Sequence, residues 1–248
     1  MLLLFQRVAP RIHAKVAATW DSHLAELDSR GWVIVEGVAG RDECEGLLRG
    51  LGELHTQYGG SIRHEVRFRP GFDDLQYSQS ANAITPHTEA PGRQPPPRYL
   101  ALHCHRQARC GGGQTLLADA YELLDSLPGP FRDEVERRPV RFDLAAANGA
   151  VAAPVLSFDE RGARIVRFSH NVMRDGSLEG PARSNDDLEG VDAFYAELCR
   201  RGVAFMRDRG CAVLVPDKGL LIFDNWRMLH ARDGFDDRSR HLTRYWVG

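Results

Sequence analysis

From about residue 60 onward the chain breaks into short apolar runs divided by Gly, Pro and Asn. The clearest are "YLALHCH" (99–105), "RIVRFSH" (164–170), "CAVLVP" (211–216), "LLIFDN" (220–225) and "HLTRYWV" (241–247). Runs this short, rich in β-branched and aromatic residues and bounded by turn formers, read as strands. Many such strands in one chain must bury their apolar faces against each other, which points to a sandwich or jelly roll. Two helical stretches interrupt the pattern. One begins at Asp119, with Glu122 at capping-box spacing; the other covers about 191–208, with Phe194, Tyr195, Leu198 and Phe205 as its buried face. Ahead of the strands, Val16, Trp20, Leu24 and Leu27 recur at helical spacing and Gly31 stops the helix. A strand "WVIVEGV" (32–38) follows, and then a second helix striped by Leu47, Leu48, Leu51 and Leu54. No repeat or linker divides the chain. The expectation is one mainly β domain over 1–248, with a helical and strand part at 1–60 and a jelly-roll core at about 61–248 decorated by α-helices.

Composition matters here for what it excludes. With 43% hydrophobic and 27% charged residues, 248 residues can bury a sizeable core. A net charge of -2 offers no global attraction to nucleic acid or an anionic membrane. The five cysteines (Cys44, Cys104, Cys110, Cys199, Cys211) form no C-x-x-C pair, so a reducing cytosol is expected rather than a disulfide framework. The opening "MLLLFQRVAPRIHAK" is too short in its apolar run, and basic on the wrong side of it, for a secretory signal. The expected setting is the cytoplasm, with a bacterial source suggested by the near-total use of arginine over lysine.

Chemistry enters at "PHTEAPG" (86–92). Side chains alternate along a strand, so His87 and Glu89 would share a face while Thr88 points away. Near the other end, "LLIFDNWRMLHARDGF" places His230 five residues after Asn225, and Arg244 lies 14 residues beyond His230. Two imidazoles and one carboxylate converging from one side suit Fe(II) and leave coordination positions open.

In this order, H-x-E, distal His, then Arg, the chain resembles the Fe(II)/2-oxoglutarate-dependent oxygenases, and within them the taurine dioxygenase and clavaminate synthase-like group. "CGGGQTLLAD" (110–119) is similar to that group's Gly-Gly-x-Thr stretch, and the resemblance runs over roughly 30–247. It implies a double-stranded β-helix core and a single dioxygenase domain. His87, Glu89 and His230 are then the iron ligands. Arg244 grips the distal carboxylate of 2-oxoglutarate with a planar fork of donors, and Thr115 adds its hydroxyl. Cosubstrate decarboxylation to succinate and CO₂ in the presence of O₂ drives hydroxylation of an sp³ C–H, or desaturation or ring closure. The implied partner is a small polar metabolite, an amino acid or a compound derived from one. Glu89 fills the position that halogenases of the family leave to chloride, so halogenation is not expected.

Other residues carry weaker expectations. Arg240 fits a contact to cosubstrate or substrate, or a surface ion pair. Asn82, Asn171 and Arg227 are candidate substrate contacts by proximity to the motifs, and "FSHNVMRDGS" (168–177) is a loop that could cover the cavity. His103 and His105 share a strand face but suit supporting roles, and Cys104 and Cys110 suit burial as small side chains. "GGGQT" lacks the Lys-Ser/Thr ending of a phosphate loop. Two alternatives from other classes are a non-catalytic metal-binding jelly-roll protein and a metal-dependent hydrolase, which would need a general base not evident beside "HTE".

Overall fold

The computed structural model describes residues 14–142 and 151–248. The reading of the first residues as lacking a signal falls almost wholly outside these, as does the side chain of Val16.

Two antiparallel sheets lie at the centre. The larger has the order β1 (Trp32–Val35), β14 (Leu220–Asp224), β6 (Tyr99–Arg106), β16 (His241–Val247), β2 (Leu54–His55), and β3 (His64–Arg67) also pairs with β16. The smaller runs β13 (Cys211–Val213), β7 (Thr115–Asp119), β15 (Met228–Arg232), β5 (Ile84–His87). Short ribbons complete the strands: β4 (Leu75–Gln76) with β12 (Gly180–Pro181), β8 (Pro139–Phe142) with β9 (Val151–Pro154), and β10 (Leu156–Phe158) with β11 (Arg164–Val166).

Period-2 alternation sorts the apolar side chains into three layers. In β14, Leu221 and Phe223 face the smaller sheet with Leu100, Leu102, Leu117, Leu242 and Trp246. Leu220 and Ile222 face the other way, onto Trp20 and Leu27 of α1 (Ala14–Arg30) and Cys44 and Leu48 of α2 (Arg41–Arg49). A strand covered on both faces reads as one continuous apolar run, which is why "LLIF" does not alternate. Leu229 and Ala231 of β15 look outward onto α3 (Ala120–Asp125), α4 (Gly129–Arg137), α5 (His170–Asp175) and α6 (Ala193–Arg209). Each fully buried Leu or Phe in these layers contributes about 1.5–3 kcal/mol. Among the described residues no helix is long and apolar enough to cross a membrane.

Three expectations shift. The leucine stripe of the second helix ends early: α2 stops at Arg49, and Leu54 lies in β2, paired to Val247. The strand expected over 164–170 is only Arg164–Val166, because Ser169 accepts from the Val172 amide and caps α5, which Gly176 closes with φ +69. The middle of the 168–177 segment is therefore a buried helix rather than a loop, and Ser169 and Asn171 reach the cavity along with the turn at 176–177. Asp119 does cap a helix, accepting from Tyr121, though α3 is just six residues long.

Candidate active site

The same alternation that builds the core turns polar side chains into it from both sheets. On β15, Met228, His230 and Arg232 point between the sheets while Leu229 and Ala231 point out. His230 pairs directly with His87 of β5, and their rings stand 4.0 Å apart at 44°. Strand β5 ends at His87. Thr88 then donates its amide to the Phe168 carbonyl (2.8 Å) and its hydroxyl caps the Phe168 amide (3.0 Å), so the chain turns and delivers Glu89 inward. The expected convergence of His87 and Glu89 is present, but a turn produces it rather than strand alternation. Ala90 follows with φ +48, a left-handed conformation that costs a non-glycine residue about 1–2 kcal/mol.

His87, Glu89 and His230 each offer a ligand atom, all within 4.8 Å of one another; this is the one such group among the described residues. Glu89 and His230 are buried, with Nε2 of His230 3.8 Å from Oε2 of Glu89. His87 Nδ1 lies 2.8 Å from the Thr85 carbonyl, which fixes that nitrogen as the donor and leaves Nε2 with its lone pair free. Burial holds both imidazoles below the ordinary histidine range, with Arg244 pushing the same way; His230 lies well below it and also feels His87. Two neutral imidazoles and a carboxylate are the form in which these groups bind a metal. The donor set fits Fe(II), and His87 and His230 with Glu89 would hold it.

The ligands line a cavity of about 400 Å³ together with Thr115, Arg240 and Arg244. Arg244 donates from Nη1 to Glu89 Oε2 (2.9 Å) and from Nε to Gln57 Oε1 (2.9 Å), while Gln57 Nε2 returns to the Arg244 carbonyl (2.9 Å). Arg240 takes the other side. It is 2% exposed, so it is not the surface ion pair that was one expectation. Its Nε donates to the carbonyl of Gly113 (3.2 Å), two residues before Thr115, and its buried Nη1 has no protein partner. Burial lowers its pKa to about 10, which still leaves it fully charged near neutrality. The rim carries Tyr58, His64, Tyr77, Asn171, Leu178 and Glu179. His64 bonds Ser78 (2.8 Å), and burial, reinforced by Arg244, takes its pKa to about 3, so it is neutral.

The three substrate candidates separate. Asn171 lines the cavity, accepting from Thr85 Oγ1 (3.0 Å) and donating to the Leu178 carbonyl (3.3 Å). Asn82 does not; its amide donates to the carbonyls of Asp73 (2.6 Å) and Leu75 (2.9 Å) and shapes a loop. Arg227 does not either, since it ties Asp119 to the carbonyls of Asp28 and Ser29 at the end of α1. Sequence proximity placed both near the site, but each is spent on the scaffold. His103 and His105 sit on the far side of the larger sheet, bonded to the Val38 carbonyl and Thr243 Oγ1. Cys104 is buried as expected, whereas Cys110 is exposed on the glycine loop.

Sequence reasoning passed over Gln57, Asn225 and Arg232. Arg232 is buried and donates to the carbonyls of Ser78 (3.2 Å), Tyr77 (3.4 Å), Ser80 (2.8 Å) and Asn82 (2.5 Å), holding the 77–82 loop to β15. Its position two residues after His230, on the same strand face, was the available signal.

A family model described as taurine catabolism dioxygenase TauD, TfdA family matches residues 14–246. The chain belongs to that family. Among curated TauD/TfdA-like relatives, gamma-butyrobetaine dioxygenase of Homo sapiens is 23% identical over 94% of this chain and 62% of its own. The enzyme of the same name from Pseudomonas sp. (strain AK-1) is 29% identical over 75% of this chain and 48% of its own. The chain thus spans about half to three-fifths of the length of the curated relatives it matches. Solved structures with this fold include asparagine oxygenase in complex with Fe(II), 2S,3S-3-hydroxyasparagine and succinate, with TM-score 0.72, 18% identity, and coverage of 94% of this chain and 79% of the other. The non-haem iron oxygenase OrfP, in complex with Fe and alpha-ketoglutaric acid, has TM-score 0.66 at 18% identity over 94% of this chain and 79% of the other. The structural likenesses bear out the jelly-roll expectation, and the family model bears out the family.

Proposed function

We propose that this TauD/TfdA family member is an Fe(II)- and 2-oxoglutarate-dependent dioxygenase that oxidises an sp³ C–H bond of a small amino acid or amino-acid derivative, with 1–248 acting as one catalytic domain. The observation that carries this reading is the convergence of His87, Glu89 and His230 within 4.8 Å at the wall of a cavity that Arg240 and Arg244 also line. Bound iron would supply oxygen activation coupled to decarboxylation of the 2-keto acid.

The protein's own residues divide the remaining work. His87 and His230, held neutral, and Glu89 occupy one side of the metal position and leave the cavity side to small ligands. Arg240, with an unpartnered buried donor beside the strand of Thr115, is suited to the distal carboxylate of 2-oxoglutarate; this moves that role from Arg244 to Arg240. Arg244, on the Glu89 side with Gln57, is suited to a carboxylate of the substrate. The apolar wall formed by Leu100, Leu102 and Val66 excludes water from the region between. Two similar structures, described with hydroxyasparagine and with (3R,4R)-dihydroxy-L-Arg, support the amino-acid class. Five free cysteines fit a reducing compartment such as the bacterial cytosol.

The test is an anaerobic titration of the metal-free protein with Fe(II) and then 2-oxoglutarate, followed by visible absorption. A charge-transfer band that needs both components, is lost in His87→Ala, and gives way to succinate on admitting O₂ is the expected result. Iron uptake without the band would reject the cosubstrate assignment.

A further inference from the structure

The "DNW" turn between β14 and β15 is a motif that the ligand set leaves unexplained. Asn225 is completely buried. Its side-chain Oδ1 accepts from the Glu89 amide (2.6 Å), and its Nδ2 donates to the Glu89 carbonyl (3.0 Å) and to the Pro97 carbonyl (2.9 Å). Two hydrogen bonds to one residue's backbone fix its orientation as well as its place. The rest of the turn braces the same segment. The Asn225 amide donates to the Arg98 carbonyl (2.9 Å), Trp226 Nε1 to the Pro96 carbonyl (3.0 Å), and Arg98 pairs with Asp224 (2.7 Å). Just past Glu89 the chain needs holding, because Ala90 adopts φ +48.

We infer that Asn225 is a positioning residue that sets Glu89 as a metal ligand: its carboxamide clamps both backbone polar groups of Glu89, and the turn that carries it leads directly into the strand bearing His230. The inference rests on the iron-site reading above. One turn thereby fixes the carboxylate and the distal imidazole against a common reference. Glu89 has no strand to hold it, since β5 ends at His87, so the clamp supplies the rigidity that pairing gives the two histidines.

The experiment uses Co(II) as a spectroscopic stand-in for Fe(II), titrated into wild type, Asn225→Ala, Asn225→Asp, Glu89→Ala and the Asn225→Ala/Glu89→Ala double variant. Affinity and the visible spectrum are read without any turnover. Asn225→Ala is expected to weaken Co(II) binding about ten- to a hundredfold, as loss of a group orienting a metal ligand does, and to shift the spectrum toward that of Glu89→Ala. In the Glu89→Ala background the same change should cost no more than about twofold, because its route to the metal is gone. Asn225→Asp keeps the shape and the acceptor for the Glu89 amide but loses the carboxamide donor; it is expected to weaken binding in the same direction and carries the test if the alanine variant does not fold. Unchanged Co(II) affinity in a folded Asn225 variant, or an equal loss with and without Glu89, overturns the inference. Wild-type protein that takes up no Co(II) overturns the iron-site reading, and this inference with it.

Discussion

Arg240 and Arg244 lie four residues apart and make different commitments: one leaves a buried donor unpartnered beside the Thr115 strand, the other is engaged with Glu89 and Gln57. A charge-assisted hydrogen bond is worth about 1.5–3 kcal/mol, so losing one weakens binding roughly ten- to a hundredfold. Arg240→Met is therefore expected to raise the dissociation constant for 2-oxoglutarate by about that factor while leaving substrate affinity within about threefold. Arg244→Met should do the reverse. Calorimetric titration of each ligand into the Fe(II) protein checks both, and the opposite pattern would return the cosubstrate carboxylate to Arg244. The candidate ligand set was legible in the sequence through its order, H-x-E, Gly-Gly-x-Thr, distal histidine and arginine, which resembles the oxygenase family, whereas H-x-E alone fits an ordinary loop. The two arginines were not separable. Positions 240 and 244 have the same parity, so strand alternation sends both inward, and a register shift between His241 and Leu242 disturbs the pairing there.

At the scale of elements, the glycine run 111–113 is a packing device at the cavity's edge. A Cβ on Gly112 would lie 2.3 Å from the Gly234 carbonyl, and one on Gly113, with φ +74, would lie 2.9 Å from the Arg240 guanidinium stem. Gly113→Ala is expected to cost about 1–3 kcal/mol of stability and to weaken 2-oxoglutarate binding, because the displaced side chain is Arg240. Urea unfolding alongside a ligand titration tests this; lost stability with unchanged affinity would separate the loop from the cosubstrate. Arg232 offers a second check. Removing it leaves several loop carbonyls without their donor, so Arg232→Ala should destabilise by about 3 kcal/mol and raise proteolysis in the 72–82 segment. The long apolar strands were readable because burial on both faces leaves an unbroken hydrophobic run. The 168–177 segment was not, since Ser169 and Gly176 cap a single short helix whose six residues are too few to show a period.

Taken as a whole, the molecule buries several histidines in their neutral form. Burial brings His64 to about 3 and His170 to about 4, and His87 and His230 are lowered too. Unfolded histidines titrate near 6.5, so between about pH 4 and 6.5 the unfolded chain binds more protons than the native one. Stability is then lost as pH falls through about 6.5, by up to ~1.4 kcal/mol per pH unit for each such histidine. Urea midpoints of the metal-free protein at pH 7.5 and 5.5 check this; equal midpoints would mean the histidines are protonated in the fold. The layered sandwich itself was legible from strand length and spacing. Which polar residues face the cavity depends on register, and register is fixed by long-range pairings such as His230 with His87 that no local pattern announces.

The β4–β12 ribbon, where Gly180 pairs with Gln76, lies beside the part of the cavity lined by Tyr77, Leu178 and Glu179, while the candidate ligands hang from the sandwich and its bracing turn. On the proposed reading, the mouth of the cavity is thus anchored in a separate piece of polypeptide from the candidate ligands, while Arg244, the residue suited to a substrate carboxylate, belongs to the sandwich with them. Exchanging the ribbon and its flanking turns would then alter the entrance while leaving in place the groups that would hold the metal and a substrate carboxylate.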